Sequence, residues 1–211
     1  GRIKPPPQQH EANPEGGKWV RICGIDPGLR NTGWGIIALE GNRLVWVADG
    51  VIRPDPSASD ASRLGHIRAE LAKTLALHDP DTAAIEEIFV SRNAASALKL
   101  GMARGAAMIA LHDHGLHVEE ISARRVKQNV TGSGRAQKDQ VTAMVRRLLG
   151  IEPTNTDSAD ALAIAIAATN QDSLSVSAGG AAENGGNSAE TGGASGLQAA
   201  IARALEKEQT R

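Results

Sequence analysis

Two different spacings of apolar residues along the chain predict its strands and helices. Short apolar runs at residues 19–26, 32–40 and 43–53 predict three consecutive strands, and the Gly-Asn pair before the third is typical of a hairpin turn. Later runs at 82–90 and 116–122 predict two further strands. Because short turns join the first three strands, we expect them to form an antiparallel meander.

Helical spacing dominates the rest of the patterned sequence. Apolar residues recur with the helical period at 60–79, 93–115 and 156–170, so these segments are predicted helices. One or two more helices fit between the last strand and the last of these segments. The order of elements predicts an α/β fold in which a mixed five-stranded sheet is flanked by helices.

The two ends of the chain lack this pattern. Residues 1–17 are rich in Pro, Gln, Asn and Gly, which predicts a disordered leader. Residues 171–211 are rich in Gly, Ser and Ala and predict a flexible tail, although 197–211 have the spacing of a short amphipathic helix. A single folded domain is therefore predicted over residues 18–170.

Composition limits the residue types that can form the core and the cellular compartments that suit the protein. Hydrophobic residues make up 41% of the chain but aromatic residues only 2%, so the core must consist of Ala, Val, Ile and Leu. Cys23 is the only cysteine, which excludes an intrachain disulfide and fits a reducing compartment. No apolar run approaches the ~18 residues of a membrane span, and the start of the chain has no apolar signal region. We therefore expect a cytoplasmic protein without a membrane segment.

Charge is unevenly distributed, although the net charge of the chain is only −1. Between residues 124 and 147 there are seven basic residues and one acid, Asp139. A basic region attracts a polyanion, and an acidic centre beside it is a useful arrangement for cutting that polyanion. The charge distribution therefore favours nucleic acid as a partner.

Four acids lie at positions where carboxylates are costly to place. Asp26 ends the first predicted strand, Glu86 ends the fourth, and Asp157 and Asp160 open the last helix. The two helical acids are three residues apart, so both lie on one face of the helix. If the first and fourth strands are neighbours, all four carboxylates converge.

Converging carboxylates repel one another, and a divalent cation removes that repulsion. Oxygen ligands without Cys or His suit Mg²⁺, with Mn²⁺ as a substitute, and two such ions can activate water and stabilise the leaving oxygen in phosphodiester cleavage. Each acid also has an ordinary interpretation when taken alone. Asp26 fits a turn and Asp157 a helix start, and strand alternation lets only one of Glu86 and Glu87 face the site.

Four segments of the sequence resemble a known family: GIDPGLRNTGWGII, AIEEIFVSRNAASALKLGMARGAA, ARRVKQNVTGSGRAQKDQV and DSADALAIAIA. In this order, over about residues 20–170, they are similar to RuvC, the bacterial Holliday-junction resolvases with a ribonuclease H-like fold. The resemblance implies a Mg²⁺-dependent endonuclease that works as a homodimer and nicks two strands of like polarity across a four-way junction, in DNA recombination and repair. It also implies cooperation with the RuvA–RuvB branch-migration complex.

The resemblance assigns the catalytic and metal-binding roles to four residues. These are the acids that the spacing singles out, and the resemblance favours Glu86 over Glu87: Asp26, Glu86, Asp157 and Asp160.

The resemblance also implies a set of DNA-binding residues. Phe89 would stack on an unpaired base at the junction centre, Arg92 and Asn93 would contact DNA, and Lys127 and Lys138 would bind phosphate near the scissile bond. The ordinary interpretations are that Phe89 packs in the core, that Asn93 caps the following helix, and that the lysines are solvated.

Gly101 and Gly105 lie four residues apart in the second predicted helix. Small residues at that spacing permit close approach of another helix, and the resemblance makes this helix part of a dimer interface with two-fold symmetry. The alternative is tight packing on the protein's own sheet.

Three other functions compete with a junction resolvase. An actin-like or sugar-kinase ATPase shares a strand–Asp–Gly loop, but it needs two such domains and gives the terminal acid pair no role. The second is another ribonuclease H-like nuclease, of the ribosomal-RNA processing type, and the SALKLGMARG and VKQNVTGSG segments favour the RuvC family over it. A non-catalytic junction-binding module would not need all four acids.

Overall fold

The computed structural model describes residues 19–88 and 93–169, and in this part of the chain five strands and five helices are present. In chain order they are β1 (Val20–Asp26), β2 (Thr32–Glu40), β3 (Arg43–Ile52), α1 (Asp60–His78), β4 (Thr82–Glu86), α2 (Ala94–Asp113), β5 (Val118–Ile121), α3 (Ala123–Thr131), α4 (Lys138–Leu149) and α5 (Thr156–Ala167).

The elements follow the hydrophobic pattern closely. The apolar run of the fourth strand extends to residue 90, but Glu86 was predicted to end that strand, and β4 does end at Glu86. The predicted leader, tail and terminal helix at 197–211 lie outside the described residues, so the limits of the folded domain stay a prediction.

The strands form one mixed sheet in the order β3-β2-β1-β4-β5. β2 is antiparallel to β1 and β3, whereas β4 is parallel to β1 and β5. The first and fourth strands are therefore neighbours, and their carboxyl ends lie at the same edge. The predicted meander and the predicted α/β fold with a mixed five-stranded sheet are both confirmed.

Helices cover both faces of the sheet and give it two cores. One core lies under α3, α4 and α5, and the other lies under α1 and α2. Strand alternation divides β1 between them, because Ile22 packs in the first core and Cys23 and Ile25 pack in the second. By the same alternation Gly24 and Asp26 belong to the face that α5 covers.

Helix α5 lies unusually close to the sheet because glycines stand beneath it. A Cβ atom added at Gly24 would lie 2.1 Å from the Ala161 carbonyl oxygen, and one added at Gly33 would lie 2.1 Å from the Asp157 carbonyl oxygen. A glycine inside a strand often marks a close approach of another backbone. These glycines therefore set the distance between β1, β2 and the helix that carries two of the predicted catalytic acids.

Helix α2 has one buried face and one open face. Ala103, Ala107 and Leu111 are fully buried, whereas Leu98 and Ile109 are 66% and 53% exposed. Within the described residues α2 is the helix that is long and apolar enough to cross a membrane, judged by length and composition alone. A core or interface helix meets the same criteria.

The two glycines of α2 do not pack on the sheet. Cβ atoms added at Gly101 or Gly105 would meet no atom of the described residues within 4 Å. The alternative that these residues permit tight packing against the protein's own sheet is therefore wrong, because they lie on the open side of the helix.

Candidate active site

Two of the four acids end adjacent parallel strands. The pairing of β1 with β4 runs as far as Ile25 and Ile85, so Asp26 and Glu86 are the next residues on each strand. Ala84 packs in the core under α3, α4 and α5, and alternation places Glu86 on that same face. Both carboxylates therefore lie at one edge of the sheet and on one side of it.

The other two acids lie at the start of α5, whose first turn is fixed by a reciprocal cap. The Asn155 side chain accepts a hydrogen bond from the Ser158 backbone N–H at 2.9 Å, and the Ser158 hydroxyl accepts one from the Asn155 backbone N–H at 3.1 Å. Asp157 occupies this first turn and Asp160 follows three residues later. The helix N-terminus also favours the negative charge of Asp157.

Gly33 connects the two pairs of acids. It is the cross-strand partner of Asp26 in the β1–β2 ladder, and its α-carbon lies against the Asp157 backbone. Strand pairing and a backbone contact thus bring the first turn of α5 beside the end of β1.

A cavity of about 260 Å³ opens between the sheet edge, α3, α4 and α5. Three acids and two lysines supply its charged lining, and small apolar side chains form the rest: Asp26, Glu86, Lys127, Lys138, Asp160, Ala123, Val126, Val141, Ala163 and Ile164. Two predicted DNA-binding lysines are therefore in the same cavity as three of the predicted catalytic acids.

The electrostatics of this cavity are those of crowded carboxylates. Burial raises the pKa of Asp26 to about 7, and the negative charges of Asp160, Glu86 and Asp157 add to that effect. Burial also raises the pKa of Glu86, with a further contribution from Asp160. Burial and mutual repulsion therefore disfavour the charged forms of Asp26 and Glu86, and nearby positive charge would favour them.

Lys138 provides part of that compensation. Its ammonium group donates a hydrogen bond of 2.6 Å to Asp160 Oδ2, and this bond raises the pKa of Lys138. Both Lys138 and Lys127 lower the pKa of Glu86, opposing the effect of burial. On the far side of the site, the Asn31 amide donates a hydrogen bond of 3.1 Å to Asp157 Oδ2.

The donor set fits a hard divalent cation. The acids offer carboxylate oxygens, and no Cys or His is among the described residues that line the cavity, which is the chemistry that Mg²⁺ and Mn²⁺ prefer. Burial and the neighbouring acids raise the pKa of Asp26 and Glu86, and a cation bound between these carboxylates would favour their charged forms. Among the residues that the structure describes, no group of three or more His, Cys, Asp or Glu is already arranged to hold a metal ion.

The remaining predicted site residues divide into two groups. Phe89 and Arg92 lie outside the described residues. Asn93 is the N-cap of α2, and its side chain accepts a hydrogen bond of 3.1 Å from the Ser96 backbone N–H. The capping interpretation of Asn93 is therefore correct, and its contact with DNA stays a prediction. Glu87 is exposed and does not line the cavity.

Several residues that build the site were not singled out by the sequence patterns. Gly33 positions α5, Asn31 contacts Asp157, and Arg104 of α2 donates a hydrogen bond of 3.1 Å to the Glu86 carbonyl. The sequence did offer an indication for Gly33, because a glycine inside a strand often marks the close approach of another backbone. Nothing local in the sequence connects Asn31 or Arg104 with the acids that they contact.

Comparison with known proteins agrees with this geometry. The family model for the crossover junction endodeoxyribonuclease RuvC matches residues 22–168. A RuvC crossover junction endodeoxyribonuclease from Acidiphilium cryptum is 56% identical over 148 residues, which is 70% of this chain and 89% of that protein.

Two solved structures extend the comparison to the fold. T. thermophilus RuvC in complex with a Holliday junction substrate has a TM-score of 0.69 and 33% identity, covering 74% of this chain and 96% of that one. The yeast mitochondrial Holliday junction resolvase has a TM-score of 0.52 at 11% identity, covering 89% of this chain and 86% of that one, and it supports the fold alone. The matched family model and the extent of identity show that this chain belongs to the RuvC family of crossover junction endodeoxyribonucleases.

Proposed function

We propose that this chain resolves four-way DNA junctions by metal-dependent hydrolysis of phosphodiesters in two strands of like polarity, in recombination and repair. The observation that carries the proposal is the cavity in which Asp26, Glu86 and Asp160 face two lysines. Family membership and the junction bound to the T. thermophilus relative support the choice of substrate. The proposal also assigns the protein to the cytoplasm.

The four acids would hold the metal. Asp26 and Glu86 are fixed by the strand ends, and Asp157 and Asp160 by the capped first turns of α5. When bound, Mg²⁺ ions, two per site in this proposal, supply activation of water and stabilisation of the leaving oxygen. Mn²⁺ would substitute because it prefers the same oxygen ligands.

The lysines would bind the substrate's phosphate. Lys127 and Lys138 line the same cavity as the acids, so a strand entering it meets positive charge next to the metal-binding carboxylates. Lys138 would also stabilise negative charge in the transition state. Phe89, Arg92 and Asn93 would contact the opened junction centre, with Phe89 stacking on an unpaired base.

The partner protomer would dock on the open face of α2. Leu98, Gly101, Gly105 and Ile109 lie three to four residues apart, and they form an exposed apolar stripe on one side of this helix. A second copy of the chain would bury that stripe and give two active sites for a two-fold symmetric junction. Cooperation with RuvA–RuvB is part of the same proposal.

Cleavage assays on a synthetic four-way junction and on linear duplex, each with and without Mg²⁺, test the proposal. Wild type should cut the junction with Mg²⁺ and leave the duplex largely intact. Asp26→Asn should bind the junction normally and cut it at least ~100-fold more slowly, because the metal site loses a charged ligand.

Two outcomes contradict the proposal in different ways. Normal cutting by Asp26→Asn would show that the four acids are not the catalytic centre. Junction binding without cutting by wild type, with either Mg²⁺ or Mn²⁺, would favour a non-catalytic junction-binding module.

A further inference from the structure

The peptide group that follows Glu86 is held at both ends. The Glu87 N–H donates a hydrogen bond of 3.0 Å to the Ile121 carbonyl of β5, and the Glu86 carbonyl accepts one of 3.1 Å from Arg104 Nε. This carbonyl and this N–H belong to the same planar unit. Since the pairing with β1 ends at Ile85, these two bonds are the anchors that the structure shows beyond that pairing.

Arg104 is itself firmly placed. Its side chain is only 16% exposed, and Nη2 forms an ion pair with the Glu120 carboxylate of β5. Nε and Nη2 form one edge of the planar guanidinium, so a single side chain bridges the end of β4 and the adjacent strand. Arg104 projects from α2, which lies on the opposite face of the sheet from the cavity.

Fixing that peptide plane fixes the ψ angle of Glu86, and with it the direction in which the carboxylate leaves the strand. At the cavity, Asp160 repels the Glu86 carboxylate, whereas Lys127 and Lys138 attract it. The direction of the side chain is therefore set by the backbone as well as by these charges. We propose that Arg104 is a positioning residue for Glu86, a role that rests on the proposed function and acts through the main chain.

The experiment uses the full chain and four variants. Arg104→Gln removes both bonds, and Arg104→Lys keeps the charge beside Glu120 but cannot donate along two parallel directions. Glu120→Gln removes the ionic partner and leaves the bond to the Glu86 carbonyl. Arg68→Gln is the matched control, because it deletes an Arg–carboxylate pair between α1 and Asp113 of α2 away from β4.

Each variant is measured for Mn²⁺ affinity by calorimetry without DNA, for kcat and KM on the junction, and for thermal unfolding. Both Arg104 variants should bind Mn²⁺ about 10-fold or more weakly and lose a similar factor in kcat, with KM nearly unchanged. Glu120→Gln should lose less Mn²⁺ affinity and less kcat than either Arg104 variant. Arg68→Gln should match wild type in both quantities.

Three results would overturn the proposal. Wild-type Mn²⁺ affinity and kcat in folded Arg104→Lys would show that the bond to Glu86 has no positioning role. Equal losses in Glu120→Gln and Arg104→Gln would assign the effect to the ion pair. Losses confined to melting temperature would make Arg104 purely structural. Each of these leaves the proposed function intact if wild type still cuts and Asp26→Asn does not.

Discussion

Helices α5 and α2 are both rich in alanine and apolar residues, yet the molecule uses them in opposite ways. Nine of the 12 residues of α5 are buried, and the helix lies against the sheet through Gly24 and Gly33. In α2 the glycines are within the helix, and in the part of the chain that the structure describes nothing lies within 4 Å of a Cβ atom added to them. Small residues therefore create close contact only where a second backbone is already opposite them.

The position of the glycine distinguishes the two cases. In the sheet beneath α5, glycine brings a capped helix and its acids to the end of β1. On α2, glycine and the exposed Leu98 and Ile109 leave a flat apolar face. The packing of α5 on the sheet needs only one chain. In our proposal, the apolar face of α2 is covered by a second copy of the chain.

The largest expected effect is that of Gly33→Ala. The new methyl group would overlap the Asp157 carbonyl, so α5 must shift, at a cost of roughly 1–3 kcal/mol of unfolding free energy. A shift of about 1 Å in Asp157 relative to Asp26 should lower the cleavage rate by about 100-fold. Denaturant unfolding and single-turnover cleavage measure the two losses.

Gly65→Ala is the control, because Gly65 lies in α1 and a Cβ atom added there has no described residue within 4 Å. It should be neutral or stabilising by up to ~1 kcal/mol through helix propensity. If Gly33→Ala cut at the wild-type rate, the close contact would not be what positions α5.

A smaller effect is expected for a substitution in the exposed apolar stripe of α2. Ile109→Asp puts a charge in the apolar stripe, so it should shift the chain towards monomer in sedimentation experiments while thermal unfolding of each protomer changes little. Leu77→Asp is the matched control, since Leu77 of α1 is even more exposed, at 77%, and lies outside the stripe. Identical sedimentation of both variants and wild type would mean that the stripe is not an interface.

The smallest effect concerns pH. Burial and the neighbouring acids raise the pKa of Asp26 to about 7 from an ordinary value of 3.8, so the folded state binds the proton more tightly than the unfolded state does. The contribution of Asp26 to stability should therefore fall between about pH 4 and pH 7 and be flat above that range. Melting of the metal-free protein from pH 5 to pH 8 should show this decline.

Mg²⁺ and a variant provide the check on this pH dependence. Because the ion binds the charged carboxylates, it should raise the melting temperature more at pH 8 than at pH 5. Asp26→Asn should have a shallower decline than wild type without metal. If the melting temperatures of wild type and Asp26→Asn fell equally with pH, Asp26 would not be the residue with the raised pKa.

Much of the fold was predictable because it depends on local patterns. Apolar periodicity located the strands and helices, and the i, i+3 spacing of Asp157 and Asp160 placed both on one side of α5. The end of β4 was placed at Glu86 because a carboxylate is costly inside a buried strand, although the apolar run alone continues past it with Ile88 and Phe89.

The parts of the site that escaped prediction depend on contacts between distant residues. Asn31 and Asp157 are 126 positions apart, and Arg104 reaches the Glu86 carbonyl, an atom that every residue possesses. Such bonds leave no periodic trace in a single sequence. The four acids were found because a costly residue type at a strand end or helix start is visible locally, while the residues that hold them in place are visible only in three dimensions.

The contact at Gly33 has a consequence for how the site tolerates change. The backbone of Gly33 contacts the backbone of Asp157 directly, so no side chain between β2 and α5 could change rotamer to relieve a clash. Substitutions elsewhere in the aliphatic core can be absorbed by side-chain rearrangement. The distance between β2 and α5 beside Asp26 cannot be adjusted in this way. A substitution that changes this distance must therefore be accommodated by movement of the backbone elsewhere in the domain.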